Sequence, residues 1–90
     1  MLFFIHHEDK PNSLALRQQT RATHLEYART FDLRLAGPTL DATGEHMTGS
    51  VIILDVPDRA ALDAFVANDP YQKAGLFART TIERWRQTLP

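Results

Sequence analysis

Val51-Ile52-Ile53-Leu54-Asp55-Val56 is a run of β-branched and aliphatic residues with one charged member. Such a run reads as a β-strand, and successive side chains of a strand point to opposite faces of its sheet. Val51 and Ile53 then face one way, and Ile52, Leu54 and Val56 the other. A strand that is apolar on both sides belongs to a sheet covered on both faces. The rest of the chain must explain the two covers.

Upstream, Phe31 to Leu35 resumes an apolar alternation that runs into Ala36-Gly37-Pro38, and the segment from Gly44 to Gly49 is polar. Strand two therefore reaches strand three through a hairpin-like loop, with Gly37-Pro38 turning the chain. From Leu14 to about Thr30 there is no Gly or Pro, and Leu14, Arg21, Leu25 and Ala28 recur at helical spacing, which predicts helix one. Residues 2 to 8 are aromatic and β-branched enough for strand one, and Asp9 to Asn12 bring turn chemistry, with Ser13 placed as the helix cap.

Downstream, Pro57 and Asp58 open a second amphipathic helix, capped by Asp58 and ending near Asn68. Asp69-Pro70 puts a carboxylate at an N-cap and Pro at the first helical position, so Tyr71 to Ala74 forms one turn closed by Gly75. Phe77 to Thr88 reads as strand four. The order β-α-β-β-α-β is that of the α+β, ferredoxin-like arrangement: a four-stranded antiparallel sheet with both helices on one face. For the other face the expected cover is a second copy of the chain, packed sheet to sheet, because that burial is worth about 25 cal/mol per Å². A homodimer is the expected assembly.

Ninety residues suffice for one core, so residues 1–90 are read as one domain. Ten Lys and Arg against eleven Asp and Glu leave a charge of −1. That balance gives no field for nucleic acid or an anionic membrane. The chain has no cysteine, which removes disulfides, thiolate nucleophiles and thiolate metal sites, and fits a cytoplasmic setting. The apolar start Leu2-Phe3-Phe4-Ile5 is far short of the ~20 residues that span a bilayer. No cofactor is expected, since no glycine-rich phosphate loop or dinucleotide fingerprint occurs. No metal is expected either: His6 and His7 face opposite sides of a strand, and His46 lies alone on a loop. Phe65, Phe77 and Trp85 read as core or interface anchors.

Five motifs follow one another between residues 9 and 75: Asp9-x-Pro11-Asn12-Ser13-Leu14, Arg17-x-x-x-Arg21-x-x-His24-Leu25, Ala36-Gly37-Pro38, Thr48-Gly49-Ser50 and Asp69-Pro70-Tyr71-x-x-Ala74-Gly75. In this order they resemble the YCII-related (YciI-like) proteins. The resemblance implies a dimeric α+β barrel of ferredoxin-like monomers, with an active site around a His and an Asp at the positions of His24 and Asp69. The best-known activity in the wider family is similar to dechlorination of a hydroxylated aromatic.

The residues support a compatible chemistry. His24 lies about 80° round helix one from Leu14, at the margin of the apolar stripe, and His is the side chain poised to exchange a proton at neutral pH. A core-edge His bonded to backbone accounts for the same placement. If Asp69 reaches a ring nitrogen of His24, it fixes the tautomer and raises the basicity of the ring; as an N-cap alone it already stabilises the turn by ~1 kcal/mol. Arg17, Arg21 and His24 share one side of the helix, a spacing that brings two guanidinium groups to an anionic substrate oxygen or makes a solvated charged face. Gly37, Pro38, Ser50 and Tyr71 are further candidates for the pocket.

Three functions fit these residues. One is an enzyme of lyase, isomerase or hydrolase type acting on a small anionic or hydroxylated aromatic substrate, with His24 as general acid or base and Asp69 as its orienter. The alternative is a non-catalytic metabolite-binding or accessory dimer using the same pocket, or a structural dimer in which that pocket is vestigial.

Overall fold

The structure, a computed structural model, describes residues 1–90. The elements in chain order are β1 (Leu2–Asp9), α1 (Leu14–Ala28), β2 (Asp32–Leu40), β3 (Met47–Asp55), α2 (Arg59–Asn68), the single turn α3 (Pro70–Lys73) and β4 (Phe77–Arg84). The strands form one antiparallel sheet in the order β2-β3-β1-β4. This is the expected ferredoxin-like α+β arrangement.

The register sorts side chains by face. Ile5 sits opposite Ile52 and Ile82, and Phe3 opposite Leu54. These residues meet Leu62 and Phe65 of α2 in the core, with Val56 closing one end. Tyr27 of α1 ties the helices together by donating its hydroxyl to the Phe65 carbonyl at 2.9 Å. On the face turned away from the helices, Phe4 and Leu35 flank Ile53 across the ladder. There Ile53 is buried, Phe4 and Val51 are half-buried and Leu35 is 67% exposed.

Several local expectations hold. Asp58 caps α2 by accepting from Ala61 N–H at 2.8 Å, and Asp69 caps α3 by accepting from Tyr71 N–H at 2.9 Å with Pro70 at the first turn. Gly75 closes that turn with φ of 77°.

Others are corrected. Gly37 and Pro38 do not turn the chain; they lie inside β2, opposite Val51 and Ser50. Proline is tolerated there because β2 is an edge strand, where the missing N–H faces no neighbour. The reversal comes later, where the Asp41 carboxylate accepts from the Thr43 amide and hydroxyl and from His46 Nδ1. Those bonds hold the Asp41 carboxyl well below the usual carboxylate range. They also let β3 begin at Met47, four residues before its apolar run. β4 stops at Arg84, short of Thr88. Ser13 occupies the position before α1 but caps nothing, since its hydroxyl donates to the Pro11 carbonyl at 3.3 Å. No helix is long and apolar enough to cross a membrane.

Candidate active site

The inward face of α1 is polar over part of its length. Its buried residues are Arg17, His24 and Ala28, while Arg21 and Ala22 are exposed. His24 therefore sits in the buried face, not at the margin of an apolar stripe. A helix keeps such residues inside only if each finds a partner, and each does.

Asp69 supplies the partner for His24. Nδ1 of His24 lies 2.8 Å from Asp69 Oδ1. A carboxylate only accepts, so Nδ1 carries the proton and the lone pair of a neutral ring is on Nε2. Asp69 is fully buried, and the same Oδ1 accepts the Tyr71 amide. The helix-capping role and the His contact thus coexist on one oxygen. Tyr71 also stacks on the imidazole, with ring centres 4.0 Å apart and planes 16° from parallel. Burial pushes the Tyr71 hydroxyl above its ordinary pKa, against the opposing charges of Arg17 and Arg21.

Arg17 is 3% exposed and takes Asp9 in a fork, Nε to Oδ2 at 2.6 Å and Nη2 to Oδ1 at 2.8 Å. Nη2 also donates to Ser50 Oγ at 3.1 Å, and the guanidinium carbon stands 4.7 Å over the Tyr71 ring. Burial works against the Arg17 charge; the hydrogen bonds and charge of Asp9 outweigh it and raise the pKa. The two arginines of the sequence motif are therefore not equivalent. Arg17 is spent on Asp9 and braces Ser50 and Tyr71, whereas Arg21 has no ion-pair partner in the chain.

Arg17, Arg21, His24, Gly37, Pro38, Ser50 and Tyr71 line a single cleft of about 210 Å³ between α1, β2 and β3, with Leu25, Ala36, Met47 and Ile52 as its apolar wall. Asp69 stands behind it, reaching the cleft through His24. Gly37 contributes no close approach: a side chain there would meet open space.

Three neighbours of the site carry no functional mark in the sequence. Asp9 stands in the first of the five motifs, where nothing in the sequence marks it as the anion of Arg17. Gly49 is the glycine that the site requires, since a Cβ on it would overlap the His7 carbonyl oxygen of β1 and press on the Thr39 hydroxyl; its absence lets Ser50 come in beside Arg17. His7 is fully buried, in line with Phe3 and Ile5 on the core face of β1. The period of strand one carried that signal.

Comparison with known proteins identifies relatives of the same fold. The solved structure of 5-chloro-2-hydroxyhydroquinone dehydrochlorinase (TftG) from Burkholderia phenoliruptrix AC1100, in complex with 2,5-dihydroxybenzoquinone, superposes with a TM-score of 0.89 at 41% identity, covering 96% of this chain and 94% of that one. Protein YciI of Escherichia coli is 28% identical over 98 residues, 99% of this chain and all of that one. An antibiotic biosynthesis monooxygenase, at 20% identity and a TM-score of 0.59 over the whole of both chains, shares the fold. The model of the YCII-related domain matches residues 1–86, and the chain belongs to that family.

Proposed function

We propose that this protein is an enzyme that moves a proton on a small, hydroxylated aromatic substrate, with His24 as the general acid or base and Asp69 as its orienting partner. The observation that carries this reading is the 2.8 Å contact of His24 Nδ1 with the buried Asp69, made by a ring that lines a cleft. With Nδ1 protonated and held, Nε2 is the nitrogen left to accept a proton from a bound hydroxyl. The imidazolium so formed is stabilised by the carboxylate behind it.

The cleft suits one ring. It is smaller than the roughly 300–1,000 Å³ sites that take drug-sized ligands, and its walls combine the Tyr71 ring and aliphatic residues with the polar groups of Arg17, Arg21, His24 and Ser50. As the substrate hydroxyl gives up its proton, the oxygen gains negative charge. Arg21, free of any carboxylate partner, is the cation that meets it; Ser50 offers a hydroxyl. The Burkholderia relative, at 41% identity, acts on a chlorinated hydroxyhydroquinone and binds a dihydroxybenzoquinone. That supports hydroxylated six-membered rings, halogenated ones among them, as the class to test here.

We also propose that the protein works as a homodimer in the cytoplasm. Phe4, Leu35, Val51 and Ile53 lie together on the sheet face away from the helices, and a second copy would cover them. Sedimentation equilibrium at low micromolar concentration should give twice the chain mass of 10.2 kDa; a folded monomer would remove this assembly.

Turnover of chlorinated and unchlorinated hydroxyhydroquinones by the wild type, by His24→Ala and by Asp69→Asn tests the catalytic reading. Each substitution should lower kcat on the order of 10²–10⁴-fold, with a smaller effect on ligand affinity. Activity that survives both changes would sink the proposal. Binding without turnover, lost in His24→Ala, would favour the non-catalytic binding module instead.

A further inference from the structure

Two buried side-chain polar atoms have no protein partner in this chain: Nε2 of His7 and Oδ2 of Asp69. Both residues are fully buried. The carboxylate of Asp69 is near enough to His7 to be the largest charge acting on its ring, and a continuous line of rings joins the two. His7 stacks on Phe77 at 3.8 Å with planes 3° apart, Phe77 meets Tyr71 edge-on at 5.9 Å, and Tyr71 stacks on His24, which holds Asp69.

The two atoms are complementary. Nδ1 of His7 lies 2.7 Å from the Thr80 hydroxyl. If that hydroxyl donates, Nδ1 is an acceptor and the ring proton is on Nε2. Oδ2 of Asp69 is an acceptor with nothing to accept. Each is costly to leave unpaired, and a single internal water, of the kind that buried polar groups short of direct contact regularly hold, would satisfy both. His7 is neutral at physiological pH: burial lowers its pKa to about 4, with Asp69 and Asp9 opposing and His24 and Arg17 assisting.

We propose that His7 is a positioning residue for Asp69, its Nε2–H donating to one internal water that donates in turn to Asp69 Oδ2. The carboxylate is then held from both sides, by His24 and the Tyr71 amide on Oδ1 and through His7 on Oδ2. A carboxylate gripped on one oxygen alone can rotate about its side-chain bond and loosen the imidazole; one gripped on both cannot. Thr80 completes the line by fixing the tautomer of His7. The proposal rests on the pairing of His24 with Asp69 and needs no catalytic role for either.

Nitrogen-15 NMR of the imidazole rings in the wild-type protein at pH 7 tests it directly. His7 should show the Nε2–H tautomer, and an Nδ1–H tautomer overturns the proposal whatever the turnover assay finds. His7→Phe keeps a ring against Phe77 and removes the donor. The His24 Nδ1–H proton should then exchange with solvent about fivefold faster, the fold-change expected from one net hydrogen bond. His7→Gln places an amide N–H near the former ε position and should restore the slow exchange. An unchanged His24 signal in His7→Phe, or no rescue by His7→Gln, counts against the relay. Should His7→Phe fail to fold, Thr80→Val keeps the ring and removes the hydroxyl; a mixture of His7 tautomers is expected, and a pure Nε2–H form would show that Thr80 does not set it.

Discussion

Arg17 and Asp9 form a forked ion pair away from solvent, with the two side chains only 3% and 7% exposed. The pair ties the start of α1 to the end of β1, and it sets the position of both Ser50 and Tyr71 in the cleft. Breaking one partner of a buried pair strands the other charge, which typically costs about 3–5 kcal/mol. Asp9→Asn should therefore lower the unfolding free energy by that order in urea titrations at pH 7. The double change Asp9→Leu with Arg17→Met should recover most of the loss, because no charge is left buried; equal loss in both variants would contradict this account.

His7 makes the fold sensitive to acid. Its pKa is about 4 in the folded chain because of burial, against 6.5 for the free side chain, so between those values the unfolded chain binds the extra proton. The stability tied to this residue is whole above about pH 6.5 and declines as the pH falls toward 4, by about 2 kcal/mol at pH 5. His7→Phe cannot take up that proton. Its unfolding free energy should fall less than that of the wild type between pH 7 and pH 5, and parallel curves would show that His7 is not held neutral.

The two glycines of the site differ in what they permit. A Cβ on Gly49 would overlap the backbone of β1, whereas one on Gly37 meets nothing. Gly49→Ala forces β1 and β3 apart and should cost about 1–3 kcal/mol, the usual penalty of overpacking. Gly37→Ala should stay within about 0.5 kcal/mol of the wild type. Thermal or chemical denaturation of the pair of variants is the check, and the ranking must not invert.

Arg21 is exposed and lines the cleft without a carboxylate partner. Arg21→Ala should leave the melting temperature within experimental scatter while raising KM or Kd for an anionic ring roughly tenfold or more, as expected for loss of a charge-assisted hydrogen bond. Equal affinities for phenolate and uncharged analogues in the wild type would argue that Arg21 does not face the ligand.

Much of this was legible in the sequence. The alternation of β1, the apolar run of β3, Asp58 before α2 and Asp69-Pro70 before α3 act over a few residues, through pleat geometry, capping and the fixed φ of proline. They gave the element order, and with it the ferredoxin-like topology. His24 and Asp69 stood out from residue type and motif.

Partnership was legible only for His24 with Asp69, and there through the family motifs, because it depends on contacts between residues far apart in the chain. His24 and Asp69 are separated by 45 positions and Arg17 and Ser50 by 33, and only the packing of α1 against α3 and against the sheet brings each pair within 3.1 Å. That same packing decided which arginine is free, since the one nearer β1 found Asp9 and the one a turn later did not. It decided that Gly49, not Gly37, needs to be glycine, because strand register rather than turn chemistry sets the clearance. And it placed His7 inside: a strand's period can assign a side chain to a face, but only the packed sheet and helices determine that the ring is fully buried and that its charged form is disfavoured.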